Sequence, residues 1–316
     1  MTADKFPLFT VATISYNSGK WIRQTIESVL ASRYTNFEYL ISDDCSTDDS
    51  WDIIQTYKDS RIRAWRNEKN LGEYPNRNKV LQKAKGKYIL YIDGDDILYK
   101  NALLSYANYI DAFPQAKGVW GVHAIYFDFV VFPYLFSPRQ LTALNFLSTY
   151  PVTVVGFTDT VFAVEELRAL GGFDTRFAIG DTYIKRKFCN YYEVLLVPAG
   201  NAFWRQYPTQ ASRRVTKFYR NIIETYAIDA ELLRSVDFVL TDEELEKAKL
   251  NFRIRAVKMI VRNTLQKGKL FDFVKLMKKL NISYSSLLLL FKKGDYSYKA
   301  GATSYNPLFN QYNFDK

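Results

Sequence analysis

The sequence predicts a doubly wound α/β protein with a mostly parallel sheet and a C-terminal α-helical extension. Three observations carry this expectation. Apolar, β-branched strands alternate with helical stretches from residue 9 to about residue 113, the order that builds parallel sheets. Three of those strands stop at polar or acidic clusters. The charge balance then changes: residues 1–212 hold 23 Lys and Arg against 22 Asp and Glu, whereas residues 213–316 hold 20 against 11. Residues 1–212 are therefore read as one domain and 213–316 as a basic helical region.

FTVATISYN (9–17) reads as a strand covered on both faces. Ser18 is read as the N-cap of a helix to about Ala31, with Ile22, Ile26, Val29 and Leu30 facing inward. FEYLISDD (37–44) is a second strand, and SerThrAspAsp (46–49) opens a helix burying Trp51, Ile54 and Tyr57. RIRAWRN (61–67) is a third, more exposed strand. NLGEYPNRN (70–78) is a loop running into a helix that ends near Lys85. GKYILYID (86–93) is a fourth strand, followed by a helix from about residue 100 to 113.

Residues 114–160 read as aromatic and irregular. TDTVFAVEELRALGGFDTRF (158–177) reads as a strand, a short helix and a glycine-broken loop, and EVLLVPAG (193–200) as another strand. From about Ser212 the pattern is helical. Thr241-Asp242-Glu243-Glu244 is a capping box. Its helix runs to about Leu265, with Leu245, Ala248, Phe252, Ala256, Met259 and Ile260 on one face. LFDFVKLMKKL (270–280) and YSSLLLLFKK (284–293) are two further short helices.

Composition narrows the function. Apolar residues at 48% suffice for a large core, and charged residues at 24% argue against disorder. Cys45 and Cys189 are too few and too far apart for a disulfide framework, which fits a reducing compartment. The single histidine, His123, disfavours a zinc site. It lies in GVWGVHAIYF without a nucleophile motif and is read as packed or superficial. The N-terminus lacks the pattern of a signal peptide, and no apolar run is long enough to span a bilayer. The expectation is a cytoplasmic protein, soluble or peripheral on the inner face of the membrane.

Asp93, Asp95 and Asp96 crowd one strand end, interrupted only by Gly94. Two carboxylates about 5 Å apart repel by roughly 3 kcal/mol at an effective dielectric near 20. Such a cluster is a solvated turn, an acid/base pair or a ligand set for a hard cation. Ser15-Tyr16-Asn17 and Asp43-Asp44 end two other strands, and all three clusters are expected on one sheet edge near a switch in strand order. That convergence favours magnesium or manganese, held by one or two carboxylates plus substrate phosphates. Gly94 is expected to let the backbone bend and a bulky ligand approach. No GxxxxGK[ST] occurs, and no GxGxxG follows the first strand. Phosphates must then be held through the metal and a few basic side chains, of which Arg77 is best placed.

Taken together, VATISYNSGKWIRQTIESVLAS, YLISDDCSTDDSWDII, NLGEYPNRNKVLQKAKGKYILYIDGDD and LGGFDTRF resemble family 2 glycosyltransferases of the GT-A fold, over residues 8–212. The resemblance implies metal-dependent, inverting transfer from a nucleotide-diphosphate sugar, a UDP-sugar first among the donors. The acceptor would be a saccharide or lipid-linked glycan in bacterial polysaccharide synthesis. It places Tyr16 and Asp44 at the nucleotide base, Asp43 in support, and Asp93 by the ribose or donor sugar. Asp95, with Asp96, would bind Mn2+ or Mg2+, and Arg77 the nucleotide part of the donor. The catalytic base corresponds to Asp181 in AIGDTYIKRKF, preceded by Gly180 where the family usually has glutamate. As an N-cap, Asp181 would also suit the helix behind it. Asp174 in GGFD is read as a loop former. Family members often carry a histidine in the region that here reads FWRQYPTQASRR, leaving Arg205, Tyr207, Arg213 or Arg214 as phosphate partners. Trp120 and Trp204 are open between sugar stacking and packing.

The tail FRIRAVKMIVRNTLQKGKLFDFVKLMKKL mixes cations and apolar residues at helical spacing. It suits a helical cap on the catalytic domain, or a peripheral membrane contact through 241–293. Leu287–Leu290 with Phe291 also suit self-association into a homo-oligomer, and no motif supports nucleic-acid binding. Two rival functions stand beside glycosyl transfer. A nucleotidyltransferase would usually show a glycine-rich phosphate loop where this chain has SYNSGKW. A catalytically silent membrane-docking subunit would not need the acidic cluster.

Overall fold

The computed structural model describes residues 8–122, 132–148, 157–207, 219–235, 237–292 and 294. His123, Arg213, Arg214 and the N-terminal stretch before Leu8 lie outside them. The first half alternates as expected: β1 (Phe9–Ser15), α1 (Ile22–Leu30), β2 (Phe37–Asp43), α2 (Ser50–Gln55), β3 (Ile62–Arg66), α3 (Glu73–Lys83) and β4 (Tyr88–Tyr91). There follow β5 (Ile97–Leu98), α4 (Ala102–Ala112), β6 (Gly118–Val122), β7 (Tyr134–Phe136) and α5 (Pro138–Leu147). Then come β8 (Thr160–Ala163), α6 (Val164–Ala169), α7 (Gly180–Tyr191), β9 (Val194–Pro198) and β10 (Ala202–Phe203). The C-terminal region adds α8 (Arg220–Leu232), α9 (Asp242–Asn263), α10 (Leu270–Lys279) and a 3-10 segment, Tyr284–Phe291.

The main sheet has the order β3-β2-β1-β4-β8-β6-β9-β7. The first four are parallel, and β8 is inserted antiparallel between β4 and β6. The chain winds outward from β1 to β3, then crosses back to β4 on the other side of β1. The order therefore reverses between β1 and β4, and in such sheets the ligand crevice lies at the carboxyl ends there. One core packs α3, α6 and α7 on one face of the sheet, through Val80, Leu167 and Ile184. The other packs α1, α2 and α4 on the opposite face, through Ile26, Ile54 and Leu103. Strands between two such layers are buried along most of their length, and β4 is buried at all four positions. A fully buried aliphatic side chain stabilises by roughly 1.5–3 kcal/mol, so the frame beneath the crevice is stiff.

The differences from expectation have local causes. Within residues 114–160, expected to be irregular, Gly118–Val122, Tyr134–Phe136 and Pro138–Leu147 form β6, β7 and α5. Ser18 is not a helix cap. Its carbonyl accepts from Trp21 N and Ile22 N in a turn, its own amide donates to Ser50 Oγ, and α1 starts at Ile22. The capping box at Thr241 is formed, with Glu244 N donating to Thr241 Oγ1 at 3.3 Å and Thr241 N to Glu244 Oε2 at 3.1 Å. Helix α9 buries Asn251, Ile254 and Val257 besides Ala248, Ala256 and Ile260, a wider stripe than expected because it is contacted from two sides. Ala143 and Phe146 of α5 and Tyr183 of α7 share a cluster with Ile228, Leu232 and Ala248. Ile260 faces α10 through Phe273, Leu276 and Met277. Glu224 of α8 accepts from Ala178 N and Ile179 N, just before α7.

Candidate active site

The register of the parallel strands aligns their ends. Ser15 pairs with Asp43, and Asp43 with Arg66. The acidic stretch after β4 continues along β1, with Gly94 N donating to Ile14 O at 3.1 Å. A side chain at Gly94 would come within 2.8 Å of Ser18 Oγ. The backbone at Gly94 thus runs close to the turn after β1. Asn17 and Cys45 at the strand ends hold positive φ angles of 52° and 63°, a strained pair of turns flanking the crevice. Asn17 Oδ1 accepts from Thr47 N at 2.8 Å, tying the turns together.

The polar groups fall into two layers. The inner layer is buried and largely bonded within itself, although Arg77 Nε and Nη1 find no hydrogen-bond partner among the described residues. Asp43 accepts from Ser46 N and Ser46 Oγ and lies 3.5 Å from Arg66 Nε. Asp44 accepts from Asn67 Nδ2, Leu71 N and Gly72 N at 2.8–2.9 Å. It thereby shapes the loop that leads into α3. Arg77, expected to reach the donor, is 1% exposed. Its Nη2 donates to both oxygens of Asp93, at 2.7 and 3.0 Å, and to Glu73. Its guanidinium carbon lies 4.6 Å from the Phe157 ring centroid and 5.2 Å from that of Tyr91. Arg77 sits beneath Asp93 and orients it. Asp96 is also 1% exposed. Its oxygens accept from Arg205 N at 2.9 Å and Thr158 Oγ1 at 3.0 Å. Burial, and then the Asp93 charge, raise its carboxyl above the ordinary range. Both bonded oxygens place Asp96 behind the site rather than at its surface.

The outer layer faces the crevice. The Tyr16 side chain is half exposed beside β1. Asp93 is 37% exposed in its side chain. Asp95 accepts from Tyr207 Oη at 2.8 Å through Oδ2, and no described residue bonds its Oδ1. Burial, and then the Asp93 charge, push its carboxyl up. Among the described residues no three His, Cys, Asp or Glu side chains are arranged as a metal cage. The oxygen-only donors nonetheless fit a hard divalent cation of the kind that takes one or two carboxylates and completes its shell with water and phosphate.

Asp181 lies in the first turn of α7, 28% exposed in its side chain. Its Oδ1 accepts from Tyr74 Oη at 3.3 Å, and its Oδ2 is 3.7 Å from Lys185 Nζ. It makes no N-cap bond; Ile179 occupies that position. Helix α3 links this carboxylate to the acidic cluster, since Tyr74 reaches Asp181 while Arg77 reaches Asp93. Glu73, in the first turn of α3, accepts from Arg77 Nη2 at 3.1 Å and is 45% exposed in its side chain. Gly180, where the resembling family has glutamate, has no room for one. A Cβ there would lie 2.8 Å from Asp174 O and 3.0 Å from the Tyr74 ring.

Sequence reasoning did not name Glu73, Tyr74, Thr158 or Lys185. Tyr207 and Arg205, expected at phosphates, hold the acids instead: Arg205 Nε donates to Asp95 O at 2.7 Å, and its guanidinium lies 4.0 Å from the Trp21 ring centroid. They arrive there because β10 pairs with β5, directly after the acids. Trp120 is fully buried in the core and Trp204 is exposed. Asp174 pairs with Arg176, in keeping with a loop former. A cavity of about 360 Å³ lined by Tyr183, Lys187, Glu231 and Phe238 lies between α7 and α8 and includes none of the crevice acids.

A sheet of this order, with acids gathered where its winding reverses, defines the GT-A class of α/β folds. Residues 10–162 match the model of Glycosyl transferase family 2, and the chain carries a domain of that glycosyltransferase family. Among relatives, it is 34% identical over 137 residues to the UDP-Glc:α-D-GlcNAc-diphosphoundecaprenol β-1,3-glucosyltransferase WfaP of Escherichia coli, covering 42% of this chain and 53% of the relative. It is 34% identical over 107 residues to the poly(ribitol-phosphate) β-N-acetylglucosaminyltransferase TarS of Staphylococcus aureus, covering 33% of this chain and 19% of that protein. The chain thus spans about half the length of one and a fifth of the other. The fold is shared with S. aureus TarS 1–349 in complex with UDP-GlcNAc, at a TM-score of 0.61 and 18% identity, over 79% of this chain and 72% of that one. It is shared also with the mannosyltransferase PcManGT of Pyrobaculum calidifontis in complex with GDP-Man and Mn2+, at 0.60 and 16%, over 91% and 79%.

Proposed function

We propose that the protein is an inverting glycosyltransferase that moves a sugar from a nucleotide diphosphate, a UDP-sugar first, to a saccharide or lipid-linked glycan. The observation that supports this reading most is that Arg77 of α3 bonds Asp93, just after β4, while Tyr74 of the same helix bonds Asp181. Tyr16 offers an exposed ring to the base, while Asp43 and Asp44 hold the loops around it. Asp93, fixed by Arg77, faces the ribose or donor sugar. Asp95 would hold Mn2+ or Mg2+, with Asp96 locking the turn behind it. When bound, that ion would offset the charge of the diphosphate.

Asp181 acts as general base. Its carboxylate takes the proton of an acceptor hydroxyl as that oxygen bonds to the anomeric carbon from the face opposite the diphosphate. The bond to the diphosphate oxygen breaks, its electron pair leaves with the nucleoside diphosphate, and the configuration inverts. Tyr74 and Lys185 hold the Asp181 carboxylate for this step. Among the described residues no helix is long and apolar enough to cross a membrane. A peripheral contact through residues 241–293 would bring the site to a lipid-linked acceptor, and residues 1–212 would form the catalytic domain.

The test is turnover of UDP-, GDP- and dTDP-sugars with Mn2+ and acceptor glycans, following nucleoside diphosphate release and the anomeric configuration of the product. One nucleotide should support release, with an inverted product. Retention of configuration, or no release with any donor, would overturn the reading.

A further inference from the structure

Hydrophobic exposure is concentrated in one stretch of the chain. Of thirteen large apolar or aromatic side chains exposed among the described residues, seven come from residues 265–291. Phe291 is 88% exposed, Phe271 79%, Leu288 69% and Leu270 64%. These are not frayed ends of a poorly packed region. Helix α10 buries Phe273, Leu276 and Met277 against Ile260 of α9 and Ile222 of α8, and leaves Leu270, Phe271 and Val274 outside. The following 3-10 segment packs back on the same cluster through Leu287, with Phe273 and Tyr284 rings 6.3 Å apart.

The charge around this surface has one sign. Between residues 247 and 292 the chain holds twelve Lys and Arg and a single acid, Asp272, which accepts from Tyr219 Oη. Lys267, Lys269, Lys278 and Lys279 are exposed on or beside α10. Exposed apolar groups with exposed lysines close by in the chain match an anionic bilayer, which offers phosphates at its surface and hydrocarbon below. A second copy of the chain would bring two cationic surfaces together. A nucleic acid would leave Leu270, Phe271 and Leu288 without an apolar partner.

We infer that Leu270, Phe271, Leu288 and Phe291 insert at the headgroup–acyl boundary of an anionic membrane while the neighbouring lysines pair with its phosphates. This rests on the reading of residues 241–293 as a membrane contact and specifies how the contact is made, by insertion added to charge. The reading and the inference fail differently. The experiment is sedimentation of the whole protein with phosphatidylglycerol-containing and pure phosphatidylcholine vesicles at low and high salt. Three proteins are compared: the wild type, Phe271→Ser/Phe291→Ser and Lys278→Glu/Lys279→Glu. Unchanged thermal transitions confirm folding, since all four side chains are exposed.

The wild type should bind anionic vesicles, with a fraction that resists salt. The phenylalanine variant should bind about tenfold more weakly or less and lose that fraction. The lysine variant should also weaken by about tenfold at low salt. No binding by the wild type would overturn the membrane reading itself. Equal binding by wild type and phenylalanine variant would leave the contact standing and overturn insertion. A wild-type dimer in light scattering that becomes monomeric on Phe271→Ser/Phe291→Ser would assign the surface to a second copy and overturn it too.

Discussion

In the crevice, the buried carboxylates of Asp43, Asp44 and Asp96 meet donors from loops, turns and the Arg205 amide. On α10, Lys278 and Lys279 reach solvent and Phe271 lies outside. The two regions place charge for different ends. Burying an ion costs several kcal/mol unless it is paired and bonded, so charges retained in the crevice are fixed in direction. Solvated charges on a helix are free to turn and cost little, so they suit a diffuse partner. A ligand that needs geometry belongs to the first region, and a surface that needs only sign and area belongs to the second.

The contrast can be broken from the crevice side first. Asp181→Asn should lower transfer on the order of 10²- to 10⁴-fold while nucleotide affinity, read by calorimetry, stays within about twofold. An equal loss in both would make Asp181 a binding residue. Arg77→Met should come next, visible in urea unfolding. Removing one partner of a fully buried pair costs about 3–5 kcal/mol, but Asp93 is 37% exposed, so about 2 kcal/mol is expected. No loss of stability would mean that Asp93 is held by other groups.

Gly180→Ala sharpens the comparison through its sign. Helix propensity alone favours alanine by about 1 kcal/mol. The Asp174 carbonyl, 2.8 Å from the added Cβ, should turn this into a loss of about 1–2 kcal/mol, measured by thermal or urea unfolding. A gain would show that the first turn of α7 gives way easily. The smallest effect lies in the seam between the regions. Burial works to raise the Glu244 carboxyl, but bonds from Arg139 and the Thr241 cap bring it below the ordinary range. A lowered native value means stability that is present above the unfolded-state value and lost as pH falls through the native one. Glu244→Gln should cost about 0.5 kcal/mol at pH 7 and flatten the stability profile between about pH 5 and 3. An unchanged profile would show that the Arg139 pair contributes nothing.

Much of the crevice was legible in the chain because parallel strands write it plainly. FTVATIS, FEYLISD and YILY are apolar runs ended by polar clusters, and strand register forces those clusters together. The partners of the acids were less legible. Tyr74 and Lys185 sit on helices, whose patterning reports the apolar face and says nothing of a buried lysine under a carboxylate. Tyr207 reaches Asp95 only because β10, two residues long, pairs with β5 across more than a hundred positions. β6 and β7, inside the stretch 114–160, were missed for another reason. The GVWGV of β6 is buried throughout, so it has no alternation, and YLF of β7 is too short to carry a period. In the tail, the capping box fixed the start of α9, while contacts from α5 and α10 widened its buried stripe.

On the proposed function, the carboxylates at the β1/β4 switch point bind a nucleoside diphosphate through a divalent cation. Calorimetric titration of UDP, GDP and dTDP in Mn2+ and in chelator, on the wild type and on Asp95→Asn, addresses it directly. One nucleotide should bind the wild type with Mn2+, and its affinity should fall at least tenfold in chelator and in Asp95→Asn alike. Binding of equal strength in all three conditions, or no binding of any nucleotide with Mn2+, would contradict it.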